Sequence, residues 1–346
     1  MDNKKGYVGL ENLGNTCFLN SCLQIMKEIT ELNIILNNKS EEIKNTNDGI
    51  LCKEWYQLNN MMTTNNGIIR PVRFLEVLQN YAKITNKVLF TGYLQNDIQE
   101  FFLLLVTVLH NSISRKKNIS INGNPKEEID KLAIKCYNEK ANEYKNDFSE
   151  INELFQGISV SFIKGIETND NSLKPELYNN LILPVFYIDN DNNKKYIANN
   201  LYDCFNYYVQ PDKLIDENKW FNEKTKKKED AAKYIRFWDF PKILFIMLKR
   251  FTPDGRLKIN NVIDFPIDNL DLSPYVCGYK PYNYKYELIG VCNHSGGLAG
   301  GHYTAHVKNK YNEWIHYNDT NVNIIKNVNE IITAKAYCLF YRKKNN

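Results

Sequence analysis

Apolar side chains in the first third of the chain recur at helical spacing. Phe18, Cys22, Ile25, Met26 and Ile29 form one stripe, and Ile98, Phe101, Phe102, Leu105, Val108 and Leu109 form a second. The stretches 111–150, 189–200 and 219–228 are polar with few apolar repeats, which predicts loops or exposed extensions. In the last third the pattern changes to short apolar or alternating runs, at 243–248, 286–291, 302–307 and 336–341, bounded by Pro, Gly, Asn and Asp. Those runs read as strands. Helices first and strands later predict an α+β fold whose halves could enclose a cleft. No internal repeat is visible.

Composition narrows the class. With 346 residues, 43% of them hydrophobic, the chain can bury a core of one large domain or two modest ones. Its 44 Lys+Arg against 40 Asp+Glu leave a net charge of +4, too balanced for a dedicated nucleic-acid binder. The longest apolar runs, 101–109 and 243–248, are too short to span a bilayer, and residues 1–10 carry no apolar signal region. No membrane or nucleic-acid partner is expected, and the reading is an intracellular protein of cytoplasm, nucleus or both. Eight cysteines occur without any Cys-x-x-Cys pair, so neither a zinc knuckle nor a disulfide framework is signalled. A reducing compartment would preserve a reactive thiol.

One cysteine stands in a chemically suggestive place. Thr16 is a suitable N-cap for the first stripe, which puts Cys17 in the first turn of a helix, where the macrodipole and free N–H groups would lower its pKa. Taken alone, Cys17 could equally be a small buried apolar residue. The preceding residues 9–16, with two glycines and two asparagines, have the composition of an oxyanion hole or simply of a tight loop. Far downstream a glycine-rich loop, 296–301, feeds an alternating strand with His302 at its start. His302 and His306 on one strand face could suggest a metal pair, but no third ligand has suitable spacing, so no metal is expected. Residues 314–319, WIHYND, end in two side chains able to accept a hydrogen bond from an imidazole. A Cys–His pair oriented by Asn or Asp is the thiol form of a nucleophilic triad.

Together these segments resemble the ubiquitin-specific protease family of deubiquitinating cysteine proteases. Residues 9–24, GLENLGNTCFLNSCLQ, are similar to its cysteine box, and 286–305, YELIGVCNHSGGLAGGHYTA, to its histidine box. Residues 95–101, QNDIQEF, resemble the glutamine-rich box between them. The resemblance implies a papain-like α+β protease with a helical thumb at about 1–150, fingers and palm at about 151–245, and palm with the histidine box at about 246–346. It implies hydrolysis of the isopeptide or peptide bond after the C-terminal glycine of ubiquitin, without a cofactor. Cys17 would be the nucleophile, His302 the base, Asn12 the amide donor to the oxyanion, and Asn318 the residue orienting His302, with Asp319 as helper or substitute. Asp97 and Glu100, three apart at a helix start, could be a capping-box-like pair, contacts to the arginines of ubiquitin's tail, or both. Gln95, Gly300, Gly301 and Tyr303 would complete the channel for the Gly-Gly tail. The competing implications are an inactive ubiquitin-binding module and a protease for a ubiquitin-like modifier. Many relatives carry two Cys-x-x-Cys pairs in the fingers; the corresponding stretches, about 160–170 and 217–228, have none, so no zinc and fingers held by packing alone are expected. The run Lys224, Lys226, Lys227 and Lys228 reads as a solvated loop tip.

Overall fold

The computed structural model describes residues 4–189, 194–252, 254–297 and 300–344. The first apolar stripe folds as α1 (Cys17–Met26), all of whose side chains are buried; the stripe's last member, Ile29, lies past the helix end and precedes the next helix. After α2 (Thr30–Asn38) come α3 (Asn47–Thr64), whose first turn is capped by the Thr46 hydroxyl accepting from the Gly49 N–H at 3.2 Å, and α4 (Val72–Ile84). The second stripe is α5 (Ile98–Ile113), started by Asp97, whose carboxylate accepts from the Gln99 N–H at 2.7 Å. Glu100 makes no reciprocal bond among the described residues, so the pair is a simple cap rather than a capping box.

The polar stretch 111–150 is not all loop. It contains α6 (Glu128–Tyr144), nucleated by a capping box between Glu127 and Asp130 and burying only Leu132, Ala133, Cys136 and Tyr144. Four buried positions on seventeen residues are too sparse to register as a stripe, yet they suffice when the opposite face is solvated. The short α7 (Glu150–Phe155) follows, and α8 (Leu201–Val209) comes later in the chain.

The alternating runs assemble one large sheet. Its strands lie side by side in the order 321–324, 314–318, 300–308, 285–297, 336–343, 243–249 and 181–184, antiparallel except where Leu181–Pro184 joins Ile243–Lys249. One face packs on α1 and α5 through Phe102, stacked at 4.2 Å on Phe245 and edge-on at 5.3 Å to Phe340. The other face packs on α8 through Leu244, Ile246, Leu288 and Phe205. Gly290 lets α1 settle on the sheet, since a β-carbon there would stand 2.8 Å from the Ile25 side chain.

A second, four-stranded sheet is built from Asn171–Tyr178, Gly157–Gly165, Ala231–Asp239 and Asp212–Leu214, in that order. Near its end the polar stretch 219–228 forms a short pairing of Trp220–Asn222 with Lys227–Glu229 rather than a plain loop. These fingers are not held by packing alone. Asn222, buried, donates to Glu229 at 2.8 Å, to Asp170 at 2.9 Å and to the Thr168 hydroxyl at 3.2 Å. Glu229 also accepts from the Thr168 hydroxyl at 2.7 Å and from the N–H groups of Thr168 and Glu167 at 3.1 and 3.2 Å. Lys224, from the expected solvated run, closes on Asp170 at 2.6 Å. Buried polar groups of this kind stabilise only when fully paired, and here each finds partners. Among the described residues no helix is long and apolar enough to cross a membrane.

Candidate active site

The cysteine loop leaves a short strand, Val8–Leu10, and turns back through residues with positive φ, Gly14 (103°) and Asn15 (57°). Asn12 organises the turn: its carbonyl oxygen accepts the N–H groups of Gly14 and Thr16, each at 3.1 Å. Thr16 sits at the N-cap position, but its hydroxyl turns away to accept from the Leu13 N–H at 2.9 Å, so no side chain caps α1. The first N–H groups of the helix are thereby left facing the sulfur of Cys17.

Cys17 opens α1 and is only 3% exposed. Its sulfur takes the N–H of Tyr303 and the N–H groups of Phe18 and of Cys17 itself. The expected lowering of the thiol pKa is not found. Burial pushes it above its ordinary value, and the Asp319 carboxylate adds to the rise, outweighing the N–H groups that favour thiolate. The helix terminus does act on the sulfur, but desolvation is the larger effect.

His302 lies in the strand Gly300–Lys308, on which α1 packs, and its neighbour Tyr303 is the residue whose N–H meets the Cys17 sulfur. The His302 Nε2 is 2.7 Å from Asn318 Oδ1, which can only accept, so Nε2 carries the hydrogen and Nδ1 is left as the basic nitrogen. No hydrogen bond joins Cys17 to the His302 ring among the described residues; the sulfur meets the N–H of Tyr303, the residue after His302.

Among the described residues Asp319 makes no hydrogen bond to His302. Held with φ 49°, it turns its carboxylate to the cysteine loop, accepting from Asn20 Nδ2 at 2.8 Å and Asn12 Nδ2 at 3.0 Å. Its main-chain oxygen also accepts from the Leu10 N–H at 2.9 Å. Gly9 permits this approach, because a β-carbon there would stand 2.4 Å from the Thr320 oxygen. Asn318 and Asp319 therefore divide the work: one holds the histidine, the other ties the cysteine loop to the histidine's sheet. The exposed Asn12 has one amide hydrogen committed to Asp319 and one free to meet a developing oxyanion. Asn20 was not marked by the sequence reading; an amide in the middle of a wholly buried helix was the available signal.

Beside the thiol, Gln95 bridges the two halves, accepting from the Gly301 N–H at 2.6 Å and donating to Asn15 at 3.3 Å. Gly300 has φ 157°, and a β-carbon there would come within 2.8 Å of Gln95 Oε1. Gln95, Asp97, Gly300, Gly301 and Tyr303 share one cleft with Phe251, His294 and Tyr337. Asp97 is already engaged there, accepting from the Tyr337 hydroxyl at 2.7 Å in addition to capping α5. Glu100 is not in that cleft; it borders a neighbouring one lined by Val88, Leu89, Leu103 and Leu104. Of the glycine-rich loop, Leu298 and Ala299 lie outside the described residues.

The profile of one family, ubiquitin carboxyl-terminal hydrolase, matches residues 8–341. The chain belongs to this family. It is 31% identical over 371 residues to ubiquitin carboxyl-terminal hydrolase 4 of Vanderwaltozyma polyspora, covering 97% of this chain and 41% of that protein. It is 29% identical over 374 residues to ubiquitin carboxyl-terminal hydrolase 21 of Homo sapiens, covering 97% and 61%. The chain thus spans about two fifths to three fifths of these relatives. Among solved structures, the SAGA Ubp8/Sgf11/Sus1/Sgf73 DUB module bound to ubiquitin aldehyde matches with a TM-score of 0.72 at 22% identity, covering 100% of this chain and 71% of that one. In this family's fold the helices form the thumb, the large sheet the palm and the four-stranded sheet the fingers.

Proposed function

We propose that this hydrolase domain is a thiol-dependent deubiquitinase that cleaves the isopeptide or peptide bond after ubiquitin's C-terminal glycine. The observation that carries the reading is the placement of His302, fixed through Nε2 by Asn318 at 2.7 Å, beside a Cys17 sulfur that receives the N–H of the next residue, Tyr303. A buried neutral thiol is a stable resting form, and substrate closing the seam lets His302 Nδ1 take its proton as Cys17 attacks the glycine carbonyl. The oxyanion is met by the free Asn12 amide hydrogen and by N–H groups at the start of α1. His302 returns the proton to the departing amine, then activates water to hydrolyse the thioester and release Cys17. These steps use only side-chain and main-chain groups of the chain and need no cofactor.

Asp97, Gln95, Gly300, Gly301 and Tyr303 line one cleft, which we assign to an extended tail ending in two glycines. Glu100, outside that cleft, fits a contact to a residue further up the tail. The partner is accordingly ubiquitin or a ubiquitinated protein, met inside the cell in cytoplasm or nucleus, with neither nucleic acid nor membrane involved. We assign the chain as one catalytic unit, with thumb, fingers and palm near the boundaries given above.

A ubiquitin probe carrying a C-terminal thiol trap tests the reading. A covalent adduct mapped to Cys17 supports it; tight binding without adduct identifies a ubiquitin-binding module instead, and reaction only with another modifier's probe changes the substrate.

A further inference from the structure

One face of α1 carries a row of buried polar side chains, Asn20, Gln24 and Lys27, at the spacing of a single helix face. Lys27 lies just past the last helical residue and keeps αR backbone angles, so the row continues to it. The three side chains donate to main-chain oxygens at every second residue of the segment that leads into the cysteine loop: Asn20 to Leu10 at 3.3 Å, Gln24 to Val8 at 2.7 Å and Lys27 to Gly6 at 2.7 Å. The two ends of the row also reach the strand Trp314–Asn318 and the residue after it. Asn20 meets the Asp319 carboxylate at 2.8 Å, and the Lys27 ammonium donates to the Tyr317 hydroxyl at 3.0 Å while lying 4.6 Å from the centre of the Tyr317 ring. Asn318, which holds His302, is thus bracketed by two residues gripped from the helix that Cys17 opens.

We propose that Lys27 is a positioning residue for the thiol chemistry: its ammonium, acting through Tyr317, sets the strand that ends in Asn318 against α1 and so fixes the orientation of His302 relative to the helix of Cys17. The inference rests on the deubiquitinase reading. The Lys27 side chain is wholly buried, and a buried ammonium is tolerated only where oxygens replace its water. Gly6, Tyr317 and the Glu28 carboxylate, 3.7 Å away, supply them. Burial lowers Lys27 to about 8 and Glu28 opposes the fall, so the charge is present at neutral pH. Such a tie is directional. Sliding the strand along the helix would leave the ammonium short of an acceptor, so one register engages Tyr317 and Asp319 together. Tyr317 and Asn318 point to opposite sides of the strand, and a shift that frees the phenol also moves the amide that holds the imidazole.

Lys27→Met and Tyr317→Phe in the full chain test this; Tyr317→Phe keeps the ring and its packing, and it decides the matter alone where Lys27→Met does not fold. Each variant should lower kcat for a fluorogenic ubiquitin substrate roughly tenfold with KM within about twofold, a size matching one lost hydrogen bond to a charged group. The double variant should be little worse than either alone. A scaffold role by itself would lower the melting temperature and leave kcat of the folded protein as it was. In the Cys17→Ser protein, imidazole 15N shifts should place the His302 hydrogen on Nε2, where Asn318 accepts it, and either substitution should turn that signal into an average of the two tautomers. An unchanged kcat, or a lowered kcat with the His302 tautomer unmoved, overturns the proposal and leaves the deubiquitinase reading intact. A parent chain that holds His302 in the Nε2–H form yet hydrolyses no ubiquitin substrate overturns that reading and this inference together.

Discussion

Two of the networks in which asparagine amides donate to a carboxylate end differently. At the fingertip, Asn222 and Glu229 draw in Thr168, Asp170, Lys224 and main-chain N–H groups until the carboxylates are surrounded by donors. At the thumb–palm seam, Asp319 takes Asn12 and Asn20, but the Asn20 oxygen is left unpaired, Asn12 keeps a free hydrogen, and His302 has one nitrogen engaged. A closed network can only hold strands together. An open one, held just as firmly by its carboxylate, keeps polar groups available to a reaction. The lesson is that the proposed chemistry draws on unfinished hydrogen bonding on a finished scaffold.

Substitutions at the two networks should therefore separate cleanly. The largest effect is expected for Cys17→Ala, which should lower hydrolysis of a ubiquitin substrate by roughly 10⁴-fold or more while ubiquitin binding persists. Asn12→Ala should cost about 2.7–4 kcal/mol of transition-state stabilisation, read as a fall in kcat. Asp319→Ala should lower kcat too, by releasing Asn12, and the double variant should be little worse than either alone, because the two residues act as a unit. Additive losses would show that the seam is not one network.

Glu229→Gln should do the opposite, lowering stability by about 1–3 kcal/mol with kcat unchanged, because an amide NH₂ then faces the donors of Asn222 and Thr168. The same carboxylate links stability to pH. The Asn222 hydrogen bond, with those from Thr168 and Glu167, holds Glu229 below its ordinary value. A depressed folded-state pKa gives stability that is present above the unfolded-state value of about 4.3 and lost as pH falls through the folded-state value. Thermal melts from pH 7 to 3 should show an acid loss that is smaller in Glu229→Gln; equal losses would remove the fingertip cluster from the explanation. The smallest effect concerns the resting thiol. With Cys17 raised by burial, its alkylation by iodoacetamide should keep accelerating up to and beyond the ordinary thiol pKa of about 8.5. A rate that levels off below pH 7 would mean an ion pair already exists in the free enzyme.

Much of this arrangement was legible in the chain. The stripes at 18–29, short of Ile29, and 98–109 became α1 and α5, and the runs at 243–248, 286–291, 302–307 and 336–341 became adjoining strands of one sheet. Periodicity survives folding because it states which face is apolar. The helix α6 escaped notice because its few buried residues sit among charges, and the pairing at 219–228 because its strands are only three residues each. Cys17, His302, Asn318 and Asp319 were identifiable by type and spacing; that Asp319 serves Asn12 and Asn20 rather than His302 was not.

Residue types, their periodicity and the local capping signals are properties of short segments, and the sequence by itself determined them: a thiol opening a buried helix, an imidazole opening a strand, and two acceptors ending another. Tertiary structure decided everything that depends on partners some 300 positions away. It brought the Asp319 carboxylate to Asn12 and Asn20, and it reversed the expected shift of the Cys17 thiol. The physical reason is that desolvation and hydrogen bonding across the seam exist only once thumb and palm are packed together, and neither is written in the spacing of a motif.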